Sequence, residues 1–186
     1  MNPVSRFFLA AAMGLGALLS QQAAAQDPSV PAVEEPVSVS DMPPPEAVKG
    51  YLQLGFDRLA GYDFVLKDQP TDRKAPRWTG EEQIPDVVKS WDGKKAEIKG
   101  FMLPTRLEKG LVTEFILMRD LASCCFGASP SMNHFIVVKP AKGIASMGEK
   151  VIKISGTFKV GTTFDSFGFM VGIYQFTAEK VVEVSE

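Results

Sequence analysis

The chain has 186 residues, with 20 Lys and Arg against 22 Asp and Glu and a formal net charge of −2 at pH 7. That balance supplies no field for a phosphate backbone or an anionic lipid surface, and so argues against a nucleic-acid partner. The length suits one domain with an ordinary hydrophobic core.

Residues 1–25 carry a basic Arg6, the apolar run "FFLAAAMGLGALL" and the small-residue stretch "QQAAAQ". This is the pattern of a cleavable secretory signal, with cleavage expected after Ala25. The apolar run is short for a membrane span, and no cysteine follows it for lipid attachment. The expectation is a periplasmic protein, not integral to the membrane once the signal is removed. Residues 26–45, "QDPSVPAVEEPVSVSDMPPP", are proline-rich and acidic and read as a flexible linker.

Residues 46–186 are expected to form a single β domain. Its start, "YLQLGFDRLAGYDFVL", mixes a short helix with a strand near 62–66, and "KDQPTDRKAPRWTGEEQ" is a polar loop. "IPDVVKSW" reads as a helical turn with Pro85 near its start, where a missing N–H costs least. The apolar period then becomes two. "KKAEIKG" running on through "FMLP", then "LVTEFILM", "HFIVVK", "VIKISGTFK", "FMVGIYQF" and "AEKVVEV" read as six strands. Gly100 and Gly156 fall inside strand patterns, where a bent strand or bulge needs glycine. The predicted architecture is mainly β: a small antiparallel barrel of the oligonucleotide/oligosaccharide-binding (OB) type with a short helical or irregular N-terminal extension. A sandwich is the runner-up. Most of the late aromatics read as core, while Phe164 and Phe167, in a glycine-flanked loop, are placed to face a partner.

Between the second and third of these strands lies "RDLASCCFGASPSMN", a fifteen-residue connection of the length that usually carries function. One helical turn is expected at 121–124. The connection and the residue after it hold the chain's two cysteines, Cys124 and Cys125, and its one histidine, His134. Three readings compete. A disulfide between neighbours is strained, because adjacent Cα atoms lie about 3.8 Å apart and ordinary disulfides need at least about 4.4 Å; such a bond suits a redox pair rather than a staple. Two thiolates are soft ligands for zinc or copper(I), and His134, Met132, Met118 or Met102 can complete a set. The third reading packs one cysteine as a small apolar residue and leaves the other lining a loop. The metal reading leads, with Cys124, Cys125, His134 and Met132 as its ligand set. Catalysis finds little footing: no acidic residue near His134 in sequence orients it, and no acid/base pair, phosphate loop or HExxH pattern is present.

"WDGKKAEIKGFMLP", "EFILMRDLASCCFGASPSMNHFIVV" and "KVIKISGTFKVG", in that order, resemble the exported bacterial family known as domain of unknown function 3299. The resemblance covers roughly residues 52–184 and implies an OB-like, all-β, secreted domain with no established enzyme activity. It also implies that Cys124 matches a cysteine of other branches, while Phe126 stands where those branches have a histidine. A role beside envelope transporters is a further implication. The functional expectation is thus a non-enzymatic periplasmic protein that binds zinc or copper in metal homeostasis or as a transporter accessory. The alternatives are an interaction module of an envelope complex and a thiol redox protein.

Overall fold

The computed structural model describes residues 37–72, 74–121 and 130–184. The expected signal, most of the linker, Cys124, Cys125 and most of the helical turn at 121–124 lie outside the described residues. The fold is mainly β, with seven strands in one mixed sheet: β1 (Ala47–Val48), β2 (Tyr51–Leu54), β3 (Lys95–Glu108), β4 (Leu111–Met118), β5 (Phe135–Pro140), β6 (Val151–Phe164) and β7 (Met170–Glu183). Two four-residue helices, α1 (Phe56–Leu59) and α2 (Asp86–Lys89), and two 3-10 turns, at Val39–Asp41 and Glu81–Gln83, complete the described elements. Pro85 caps α2 as the sequence suggests.

The sheet order is β1-β2-β3-β4-β5-β7-β6, and β3 pairs a second time with β6, so five strands form a partial ring. Long β3 makes this arrangement work. Its first half, Lys95–Phe101, runs antiparallel to β6, and from Phe101 onward it runs antiparallel to β4. Gly100 sits at the changeover, where an added Cβ would lie 2.5 Å from the Met118 carbonyl oxygen. Gly156 answers a similar need beside a register shift in β6. The β3–β4 hairpin closes through Lys109 and Gly110, both at positive φ, the backbone that lets a two-residue turn follow the twist of its strands.

The expectation of a purely antiparallel sheet is corrected by two parallel pairings, β2 with β3 and β5 with β7. Each joins strands that a crossover separates: residues 55–94 for the first, β6 for the second. The two strands expected at 169–176 and 178–184 are a single strand, because outward Thr177 preserves the alternation between buried Phe176 and Ala178. Short β1 and β2 were not expected. Residues 62–66, expected as a strand, have no regular partner strand. Side chains replace the ladder there. Asn133 donates to the Tyr62 carbonyl at 2.6 Å and Ser131 to the Phe64 carbonyl at 3.1 Å, while the Gln83 amide both accepts from the N–H of Val65 and donates to its carbonyl.

The core fills the ring with Phe115, Leu117, Ile136, Ile152, Ile154, Phe158, Tyr174 and Phe176. Burying each such side chain is worth about 1.5–3 kcal/mol. The N-terminal residues seal one end. Val39, within the stretch read as linker, is buried and its N–H donates to the Gly61 carbonyl. Tyr174 donates its hydroxyl proton to the Leu59 carbonyl at 2.9 Å and lies 2.7 Å from the Tyr62 hydroxyl. Its single proton is committed to Leu59, so Tyr62 is the donor of that second bond. Burial pushes the Tyr62 hydroxyl up to about 12 and that of Tyr174 further still, so both are neutral in the folded chain.

Candidate functional site

Register pairing defines a row of side chains across the ring: Leu103 of β3 opposite Ile116 of β4, Ile116 opposite Val137 of β5, Val137 opposite Gln175 of β7, and Gln175 opposite Lys159 of β6. Their neighbours along each strand, including Leu117, Ile136, Val138, Tyr174, Phe176 and Phe158, are buried inside, so alternation turns this row outward. Ile116, Val137, Gln175 and Lys159 line a cleft of about 530 Å³ on the outer face of the ring. Two hairpins wall it. Thr105 and Arg106 come from the β3–β4 hairpin, and Phe164, Asp165 and Val171 from the β6–β7 hairpin.

The floor is aliphatic and the rim is charged. Glu114 is engaged twice, by Lys139 at 3.6 Å and by the Thr105 hydroxyl at 3.3 Å. Asp165 is engaged by its own turn, where one carboxylate oxygen accepts the backbone N–H groups of Phe167 and Phe169, each at 2.9 Å. Two further backbone bonds, Asp165 N–H to Phe169 O and Gly168 N–H to Asp165 O, close the same turn. The turn thereby fixes two outward phenylalanines, Phe167 at 65% and Phe169 at 67% exposure. Leu103, Leu107, Leu111 and Val171 are also exposed, so the two hairpins flanking the cleft carry six of the large apolar side chains turned to solvent. Exposed apolar side chains are thus concentrated beside the concave site.

Neither His134 nor Met132, the described members of the expected metal-ligand set, lines this cleft. His134 is exposed and lines a cavity of about 240 Å³ with Met118, Arg119, Asp120 and Pro130. Met132 is half-buried and packs against the core instead. Met102, a further candidate, is a buried core residue. Cys124 and Cys125 lie outside the described residues, and among the described residues no three His, Cys, Asp or Glu side chains converge as a metal group. Pro130, where the described chain resumes after the cysteines, lines the cavity of His134.

A third concavity, about 300 Å³, surrounds Glu97 with Gln53, Lys99 and Lys153. Burial alone raises the Glu97 carboxyl, but hydrogen bonds from Ser155 at 2.8 Å, Lys153 at 3.2 Å and Gln53 at 3.4 Å outweigh it and hold it below the usual carboxylate value. Its acceptor capacity is spent inside the sheet.

The cleft was not foreseen from the sequence, although one signal was available. "FILM" and "FIVV" are unbroken apolar runs in strands that otherwise alternate, and such a run in a one-layer ring places apolar side chains on both faces.

A family model described as protein of unknown function (DUF3299) matches residues 34–183. The crystal structure of a DUF3299 family protein from Pseudomonas aeruginosa is similar, at 27% identity and a TM-score of 0.53, over 73% of this chain and 97% of that one. No curated protein matches the chain.

Proposed function

The chain belongs to the DUF3299 family of proteins of unknown function, and from that premise we propose that it is an exported, periplasmic, non-enzymatic binding module of the cell envelope. In this reading the partial ring is an OB-like barrel. Numbering its strands from β3 gives the order 1-2-3-5-4 and back to 1, and proteins of that fold bind ligands on the face of strands 2 and 3, between the 1–2 and 4–5 loops. The observation that carries the proposal is the cleft: an aliphatic floor on β4 and β5, walled by the two corresponding hairpins and flanked by their exposed apolar residues. Such a site takes an envelope protein, a transporter component among the candidates, rather than turning over a substrate.

The test is site-specific photocrosslinking in cells. A photoreactive phenylalanine analogue replaces Phe169 beside the cleft, or Val151 outside it. A discrete adduct from Phe169 that is absent from Val151 supports the module. No adduct from either position, or the same adducts from both, contradicts it.

One observation favours a second reading, a soft-metal site. His134 shares its cavity with Met118, a thioether, and with Pro130, on the far side of the cysteine segment. Cys124, Cys125 and His134 are then the proposed ligands of zinc or copper(I), with Met118 or Met132 assisting. Zinc titration of the reduced protein tests it. Stoichiometric binding lost in a Cys124→Ser/Cys125→Ser variant supports the site, and binding retained in that variant removes it.

A further inference from the structure

The charges of the cleft are unequal in a way that selects its occupant. Five charged side chains line it: Arg106, Lys139 and Lys159 against Glu114 and Asp165. Both carboxylates are occupied internally, Glu114 by Lys139 and Thr105, and Asp165 by its turn. Arg106 stands opposite Glu114 in register, yet among the described residues its side chain makes no ion pair or hydrogen bond; Lys159 stands opposite neutral Gln175 and its side chain makes none either. Gln175 donates to the Gly161 carbonyl and to Thr163, so it is also committed. The cleft is left with two uncommitted cations, one from β3 and one from β6, in a chain whose net charge is negative.

Between these cations the floor is formed by aliphatic Ile116 and Val137 and by Gln175, with Val171 in the wall beside it. We infer that the cleft binds an extended protein segment carrying two acidic residues about six positions apart, with aliphatic side chains between them. The inference rests on the binding-module reading and names its partner by chemistry. Its spacing follows from the ring. β3 and β6 are four strand intervals apart by way of β4, β5 and β7, about 19 Å at ~4.8 Å per interval, which an extended chain at ~3.3 Å per residue covers in about six residues. The floor side chains Ile116 and Val137 are aliphatic and suit Val, Leu or Ile side chains; they give a base or sugar ring no stacking face there, and Phe164 stands only in one wall. A membrane face is disfavoured because a bilayer laid across the hairpin ends leaves the concavity between them unfilled.

Fluorescence anisotropy of the mature chain tests this with two labelled peptides. In one, two glutamates flank five alternating valines and threonines; in the other, lysines replace the glutamates. The acidic peptide is expected to bind at least ten-fold more tightly, with affinity falling as salt rises. An R106E/K159E variant is expected to reverse the preference, and reversal is a readout that misfolding cannot produce. Equal binding of both peptides, preference for the lysine peptide, or an unchanged preference in the variant overturns the inference. So does binding to vesicles containing phosphatidylglycerol, or to polygalacturonate oligosaccharides, with no binding of the acidic peptide. Crosslinking at Phe169 without acidic preference leaves the binding module standing and refutes only this partner class.

Discussion

Replacing Tyr174 by Phe removes one oxygen and disturbs two bonds. The Leu59 carbonyl accepts the Tyr174 proton at 2.9 Å in a fully buried position, and the Tyr62 hydroxyl uses Tyr174 as its acceptor at 2.7 Å. Leaving the carbonyl unsatisfied costs about 1–3 kcal/mol, and losing the second bond about 0.5–1.5 kcal/mol. A total near 3 kcal/mol is expected, which at this chain length lowers Tm by about 6–12 °C. Tyr62→Phe removes only the outer bond and leaves the Tyr174–Leu59 bond intact, so about 1 kcal/mol is expected. Urea unfolding followed by the fluorescence of Trp78 and Trp91 measures both. The ordering is the decisive part: Tyr174→Phe must cost more than Tyr62→Phe, and the second substitution must cost less once the first is present. A Tyr174→Phe variant within ~0.5 kcal/mol of wild type, or no worse than Tyr62→Phe, refutes the account of how the N-terminal residues are held on the ring.

Three other outcomes are expected. An alanine at Gly156 would place its Cβ 2.1 Å from the Thr177 carbonyl oxygen, so β6 and β7 must separate locally, and a loss of about 2–3 kcal/mol should appear in the same unfolding assay. Glu97, held below the usual carboxylate value, stabilises the fold fully above its unfolded value of about 4.3 and loses that contribution as pH falls through its depressed folded value. Glu97→Gln should therefore flatten the dependence of stability on pH between about 6 and 3, and an unchanged slope counts against the Ser155–Lys153–Gln53 cluster. Asp165→Ala should leave global stability within ~1 kcal/mol while hydrogen exchange at the Phe167 and Phe169 amides accelerates, since only the turn loses its acceptor; protection retained at both amides would show that the turn does not depend on the carboxylate.

Much of the ring was legible because its strands carry local patterns. Ile152, Ile154 and Phe158 alternate with Lys153, Ser155 and Thr157, and all three apolar residues are fully buried. Gly100 and Gly156 announced the bends by breaking such patterns. What escaped is non-local. Tyr51–Leu54 becomes a strand only by pairing in parallel with β3 after a long crossover, and residues 62–66 lose strand character because Asn133, Ser131 and Gln83 occupy their backbone groups from elsewhere in the chain. The cleft has the same origin. Ile116, Val137 and Lys159 are distant in sequence and meet only through register, whereas Cys124, Cys125 and His134 drew notice by rarity and closeness in the chain.

The central claim is that ligand binds on the outer row of β4, β5 and β7. Methyl NMR of the isotopically labelled chain from residue 26 onward, titrated with the acidic peptide, reads this position by position. Saturable shifts are expected at Ile116, Val137 and Val171, with Met118 and Met132 unmoved. Shifts confined to Met118 and Met132, or none at Ile116, Val137 and Val171, would contradict it.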